Sequence, residues 1–536
     1  MALWVGGWVV PAPAATICWV TTGVHATIHR IIAAFDGALE GLDLRTDPLD
    51  VERWSVLVHE AMANRARFFH GSEHIFDVVR GTRAGDQAGD QAGDQGRADP
   101  LETLAILFHD VVYVQVDGAL DQRVARILEG VIRHEDGGGY RLADLDALAE
   151  PLVLDVAQVF GLSSGQELSP FAGLNEFASA LVAARLLGPL LREGQVIAMA
   201  ACIEATIPFR GPDQRGLGPY DRLAERLRRL SPDGRPLDEA RVAEAVTRAV
   251  RVANSDVGNF GDPDPATFLD HTWNLLPETN PALQLPTAYT VRQYRVALHQ
   301  MEVFLSTLSG ERVFHRWGGV PDEATYRGLV ARAANNLGIG VRYLRVKLYT
   351  AAILESLAME SGGDAPLELF AGAIPRQGVD LARIERHLPI EAVVAFEERR
   401  GRAAPRLGSR ADGDGASAGE AGEAGAAHPG ADPGLLALFV TGRAHDSSFD
   451  LRGSPLSAFL YRRLGEAGVE AALPSLRDVS AGRLAPMAFL RAQSPAARSA
   501  IASIAWAASR VATTRTARLG ELARSLAESA SAASPP

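Results

Sequence analysis

Phe68-Phe69-His70-Gly71-Ser72-Glu73-His74-Ile75-Phe76-Asp77-Val78-Val79 is the stretch that decides how this chain is read, together with Leu107-Phe108-His109-Asp110 further on. Two histidines four apart put two imidazoles on one helical face, or one on the helix and one at its entry. An adjacent His-Asp pair offers a nitrogen and an oxygen ligand from one point of the backbone. Such parts suit a divalent-metal site.

The segments around this stretch read as helices. Apolar residues recur at helical spacing from Val24 to Leu39, and Asp50 to Asn64 reads as a second helix with Asp50 as its N-cap. Ala84 to Gln95 is three tandem Ala-Gly-Asp-Gln units, which cannot bury a core and read as a solvent-exposed insertion. Pro100 then opens an apolar helix, Leu101 to Tyr113, with His109-Asp110 in its last turn. A charged pair is costly to bury there without partners, and metal ligation supplies one. Asp117 to Ser169 reads as helices broken at Asp136-Gly137-Gly138-Gly139. Helical patterns follow up to Leu191, from Gln195 to Thr206, Leu237 to Asn259, Tyr289 to Leu308 and Asp322 to Met359. No long run reads as strand, so the expected fold class is all-α.

Composition bounds the rest. At 536 residues, two or three domains are expected. The net charge of −12 argues against a general nucleic-acid binder, and no duplex partner is expected. The two cysteines, Cys18 and Cys202, cannot form a disulfide framework, so a cytoplasmic location is expected. Met1 to Val24 is uncharged and apolar, but Pro11 and Pro13 interrupt it and no Lys or Arg precedes Arg30. It reads as a leader or an early start over residues 1–22, rather than a signal or a membrane anchor. Residues 399–434 are Gly/Ala/Asp/Ser-rich and read as a linker. The expected layout is a main domain over 23–398, with insertions at about 81–99 and 117–173, then the linker and a helical region over 435–536.

Four groups stand out near expected helix ends: His74, His109, Asp110 and Asp256. Two imidazoles and two carboxylates suit Mn, Mg, Fe, Ni, Co or Zn. A metal there would make a water acidic enough to act as nucleophile near neutral pH and would take up charge on phosphoryl oxygens. His70, with Asp110 beside the reacting atoms, is the candidate catalytic group, because an imidazole titrates where a leaving alkoxide needs its proton. Asp256 competes with Asp262 and Asp264 and is preferred for its place at a helix end beside Asn259. Glu176, Asn259, Arg210 and Lys347 are candidates for contacts with substrate or with the ligands. Arg210 is a possible phosphate clamp, and Lys347, near Asn336, Arg342 and Arg345, is the single lysine in the chain. Phe314-His315-Arg316-Trp317 is a candidate rim. His25 and His29 share the four-residue spacing but lack a carboxylate partner, and His445-Asp446 lies in a polar stretch, so both read as incidental.

The pattern resembles the HD-domain superfamily of metal-dependent phosphohydrolases, whose ligands are His, then His-Asp, then Asp. Phe69-His70-Gly71-Ser72-Glu73-His74-Ile75 is similar to the Tyr-His-x-x-x-His motif of one bacterial predicted-phosphohydrolase branch and, distantly, of class I cyclic nucleotide phosphodiesterases. Asn175-Glu176-Phe177-Ala178-Ser179-Ala180 resembles that branch's Asn-Glu-x-x-Ser-Ala element. Ile203-Glu204-Ala205-Thr206 resembles its next helix, and Ala253 to Asn259 the stretch with the final Asp. The likeness spans roughly residues 50 to 300. It implies a helical bundle, His74 as the ligand and His70 facing the leaving group. Phe69 stands where the branch has Tyr, and Val111-Val112-Tyr113 replaces the phosphodiesterases' longer His-Asp-x-Asp-His run. The expected function is hydrolysis of a small phosphomonoester or phosphodiester. The alternative is a catalytically weak sensor or interaction module of the same type.

Overall fold

The computed structural model describes residues 25–86, 98–135, 138–148, 150–232, 235–285, 288–372, 383–389, 427–445 and 447–532. The expected leader, the later part of the Ala-Gly-Asp-Gln repeat, residues 399–426 of the expected linker and Asp446 lie outside them. The fold is all-α. Among the described residues, no helix is long and apolar enough to cross a membrane.

An Asp-Pro dipeptide starts several of the helices. Asp47-Pro48, Asp99-Pro100, Asp264-Pro265 and Asp432-Pro433 each place an Asp at the N-cap, whose carboxylate accepts first-turn N–H groups. Proline follows where no donor is needed. The cap of the Pro48–Met62 helix is therefore Asp47, whereas Asp50 sits inside the first turn and pairs with Arg53. The expectation of Asp50 as cap overlooked the proline at the first helical position.

The apolar interior forms two clusters. The first runs from Ile31 to Ala253 and the second from Val257 to Leu526. At the centre of the first is Glu193–Ala205, buried along its length from Val196 to Ala205 and apolar over that stretch except for Glu204. It touches Pro100–Phe108, Pro151–Phe160, Leu174–Leu187 and Glu239–Asp256. The second cluster is organised by the 39-residue helix Glu323–Ser361, about 58 Å long at 1.5 Å per residue. Packed on it are Val291–Ser306, Pro265–Thr279, Pro455–Ser480 and Pro486–Ala492. Residues on both sides of the 399–434 segment thus share one core.

One expectation fails between Asp117 and Ser169, which reads as helices broken at Asp136-Gly137-Gly138-Gly139. Ile132–His134, Tyr140–Leu142 and Glu167–Leu168 form a three-stranded antiparallel sheet, with Arg133 opposite Arg141 and Tyr140 opposite Leu168. Strands of two or three residues are too short to show an alternating pattern. Gly138, at φ 87°, makes the turn between the first two possible.

Candidate metal centre

Three chain segments meet at one place. His74 lies in the first turn of Ser72–Asp86, with His70 just ahead of that helix at its entry. The helix expected to run to Tyr113 stops at Phe108, so His109 is its C-cap and Asp110 begins the turn beyond it. Asp256 is the last residue of Glu239–Asp256.

The groups meet closely. His74 Nε2 is 3.0 Å from Asp256 Oδ1 and 3.7 Å from Asp110 Oδ2. His109 Nε2 is 3.0 Å from Asp110 Oδ2 and 3.4 Å from Asp256 Oδ1. Ligand atoms of His74, His109 and Asp256 all lie within 4.8 Å of one another.

The protonation pattern at His109 tests whether a cation fits. His109 Nδ1 is 2.7 Å from the Ile106 carbonyl oxygen, which only accepts, so Nδ1 carries the hydrogen. In the neutral ring Nε2 then presents a lone pair to the carboxylate oxygens. His109 Nε2 and Asp110 Oδ2 are both buried and neither has a hydrogen-bond partner. Lone pairs held this close need a positive charge between them, either a proton or a metal ion. Burial pulls the His109 pKa down, but Asp110 and Asp256 outweigh it and hold it well above the usual imidazole value. Burial raises the Asp256 pKa, but the nearby His109 and His74 imidazoles outweigh it and pull it down to about 2. The donor set fits a divalent ion.

Each candidate ligand is held by structure behind it. Ser255 Oγ donates to the Val78 carbonyl at 2.6 Å, and a Cβ on Gly81 would collide with that hydroxyl. Gly81 therefore sets the close approach of the helices that carry His74 and Asp256. Asn254 exchanges two hydrogen bonds with the His315 backbone, at 2.8 and 2.9 Å. On the far side, Val112 and Val114 N–H donate to Ser179 Oγ and Asn175 Oδ1, each at 3.0 Å. Asn175 and Ser179 are four apart on one helix face, so together they fix the turn after His109-Asp110.

Two supports had no sequence signal. Arg67 is buried, donates to the Asp110 carbonyl at 2.6 Å and pairs with Asp117 at 2.5 Å. Glu278, fully buried on Pro265–Thr279, accepts from Phe69 N–H at 2.7 Å and His70 N–H at 3.0 Å. Its Oε2 is 2.6 Å from His70 Nδ1. Burial lowers the His70 pKa, but Glu278 and then Asp110 outweigh it, and the net direction is upward. Tyr113, from the segment replacing the longer motif, brings its ring to 4.6 Å from His70.

The remaining candidates divide. Glu176 Oε2 is buried without a partner, and burial with Asp110 and Asp256 nearby pushes its carboxyl up to about 7. Asn259 follows in the next turn, and its Nδ2 is also buried without a partner. Arg210 is committed to Glu204, at 2.5 and 3.1 Å. Lys347 lies in the second core, donating to Asp450 Oδ2 and Ser454 Oγ, each at 2.9 Å. Arg342 pairs with Glu466 and Asp432, Arg345 with Glu302 and Glu470, and Asn336 donates to the Phe260 and Asp262 carbonyls. His315 rests against Tyr220, and Trp317 donates to Asp221 at 3.0 Å. Asp264 caps Pro265–Thr279, and Asp262 accepts from its N–H at 2.8 Å. His445 meets Asp270 at 2.8 Å. His29 is exposed.

No family model matches the chain, and no curated protein or solved structure matches it either.

Proposed function

We propose that this protein is a metal-dependent phosphohydrolase acting on a small phosphomonoester or phosphodiester. The observation that carries the reading is the buried pair His109 Nε2 and Asp110 Oδ2, 3.0 Å apart and without hydrogen-bond partners, beside His74 and Asp256. His74, His109, Asp110 and Asp256 would hold a divalent ion such as Mn, Mg, Fe, Ni, Co or Zn. Bound there, such an ion would supply a nucleophile from water near neutral pH and offset charge on phosphoryl oxygens.

The chain's own groups have separate tasks. Ile106 fixes the His109 tautomer, leaving Nε2 free to ligate. Glu278 orients His70 and favours its protonated form, so His70 Nε2 can deliver a proton to a leaving oxygen. Glu176, with a carboxyl near neutrality, can hold or pass a proton on the Asp110–Asp256 side.

Metal analysis of purified protein, followed by a screen of phosphate esters with added Mn, tests the reading. Stoichiometric metal and turnover of at least one ester are expected, both lost in His109→Ala. Metal retained in His109→Ala overturns the ligand assignment. Metal present with no ester turned over, and no effect of His70→Ala, overturns the enzymatic reading.

A further inference from the structure

One polar concavity has no residue of the His-Asp cluster in its lining. It is a groove of about 780 Å³ between Pro151–Phe160 with the turn that follows it and Pro219–Leu227 with the residues just beyond. Arg222, Arg226 and Arg229 recur at helical spacing and line one wall, while Gln158, Ser163 and Ser164 line the other. In a chain of net charge −12, this is a local concentration of positive charge.

Two of the four arginines on the groove, Arg222 and Arg229, lack a carboxylate partner among the described residues, whereas Arg215 pairs with Asp213 and Glu225. Among the described residues, Arg222 donates only to the Leu217 and Gly211 carbonyls, at 2.7 and 3.3 Å. No carboxylate is paired with Arg222 or Arg229 among the described residues. Arg226 reaches Glu204 at 2.5 Å, but its Nε is buried without a partner. Glu225, the one acidic residue on the groove among the described residues, is engaged by Arg215 at 3.0 Å. Opposite, Ser164 Oγ accepts the Leu145 N–H at 3.0 Å and keeps its hydrogen to donate. Gly161, at φ 70°, makes room as well, since a Cβ there would lie 3.0 Å from Arg226 Cδ. Guanidinium groups facing hydroxyls across an open groove match phosphate oxygens, which accept from both.

We propose that this groove binds a small polyanion of the phosphate-ester or polyphosphate class, at a site distinct from the metal centre. The proposal does not depend on the phosphohydrolase reading. Arg226 and Arg210 share Glu204, each at 2.5 Å, so the groove is joined by two ion pairs to the loop beside Glu176.

Equilibrium dialysis of the full chain with labelled inorganic pyrophosphate tests it. Wild type and Asp256→Asn should bind alike, which places the site away from the metal cluster. Arg229→Glu and, separately, Arg222→Gln should each weaken binding about tenfold or more through loss of charge-assisted hydrogen bonds. Unchanged binding in both arginine variants, with circular dichroism like the wild type, overturns the proposal. So does binding that disappears in Asp256→Asn while both arginine variants keep it. Absence of pyrophosphate binding to wild type overturns it as well.

Discussion

His70 Nδ1 and Glu278 Oε2 lie 2.6 Å apart across 208 residues of sequence, joining the entry of the Ser72–Asp86 helix to the second half of the chain. Both partners move in the direction of an ion pair, His70 upward and Glu278 downward. A raised His70 pKa gives a contribution that is full below the ordinary imidazole value and lost as pH rises through the raised one. The lowered Glu278 pKa gives one that is present above the ordinary carboxyl value and lost as pH falls through the lowered one. The pair therefore acts between those limits.

Glu278→Gln should lower the His70 pKa, read by NMR titration of the metal-free protein. It should also move the alkaline limb of any pH–rate profile to lower pH. His70→Ala should cost roughly 10²–10⁴-fold in kcat, the usual worth of a general acid. A His70 resonance that titrates identically in wild type and Glu278→Gln contradicts this role for the pair.

Metal and proton should compete at His109. Because its neighbours hold its pKa well above the usual imidazole value, binding a divalent ion must expel that proton. Metal affinity should fall as pH falls through this range, with proton release visible by calorimetry in buffers of different ionisation enthalpy. Saturation at about 100 times the Kd should add about 2.7 kcal/mol of stability, which chelation removes. No change in melting temperature on chelation would count against a bound ion.

Gly81→Ala should force apart the helices bearing His74 and Asp256, because the new methyl collides with Ser255 Oγ. Overpacking of this kind costs about 1–3 kcal/mol. Ser255→Ala in the same chain removes the hydroxyl and should recover part of both stability and metal affinity. Urea unfolding and metal titration of the two single variants and the double variant measure the coupling.

Ser179→Ala and Asn175→Leu each leave a backbone N–H of the turn after Asp110 without its acceptor. Each should cost about 1–3 kcal/mol, the penalty for an unsatisfied buried donor. Metal affinity should fall with stability, because the same turn positions Asp110. Chemical denaturation and metal titration of each variant test the link.

Lys347→Met should destabilise the protein yet leave metal binding unaltered. It removes the shorter of the two cationic contacts to Asp450, the other being Arg443 at 3.7 Å. Breaking a buried pair typically costs about 3–5 kcal/mol, and Arg443 should keep the loss at or below that range. Wild-type stability in the variant would show that the contact contributes little.

The sequence by itself determined the helical class, several of the helix starts and the four residues that meet at His74. Those readings rest on local chemistry: apolar periodicity, a proline that opens the helix at Pro100, and a His, His-Asp, Asp motif whose order survives insertions. The short sheet within 117–173 escaped because strands of two or three residues carry no period. Only the tertiary structure decided which carboxylate faces His70, because Glu278 is a residue that local sequence does not distinguish from any other helical glutamate. Long-range packing also placed Lys347 in the second core rather than at the site, and gave Arg210 to Glu204. Charge type is written in the chain, whereas a charge's partner is set by which surfaces the folded helices bring together.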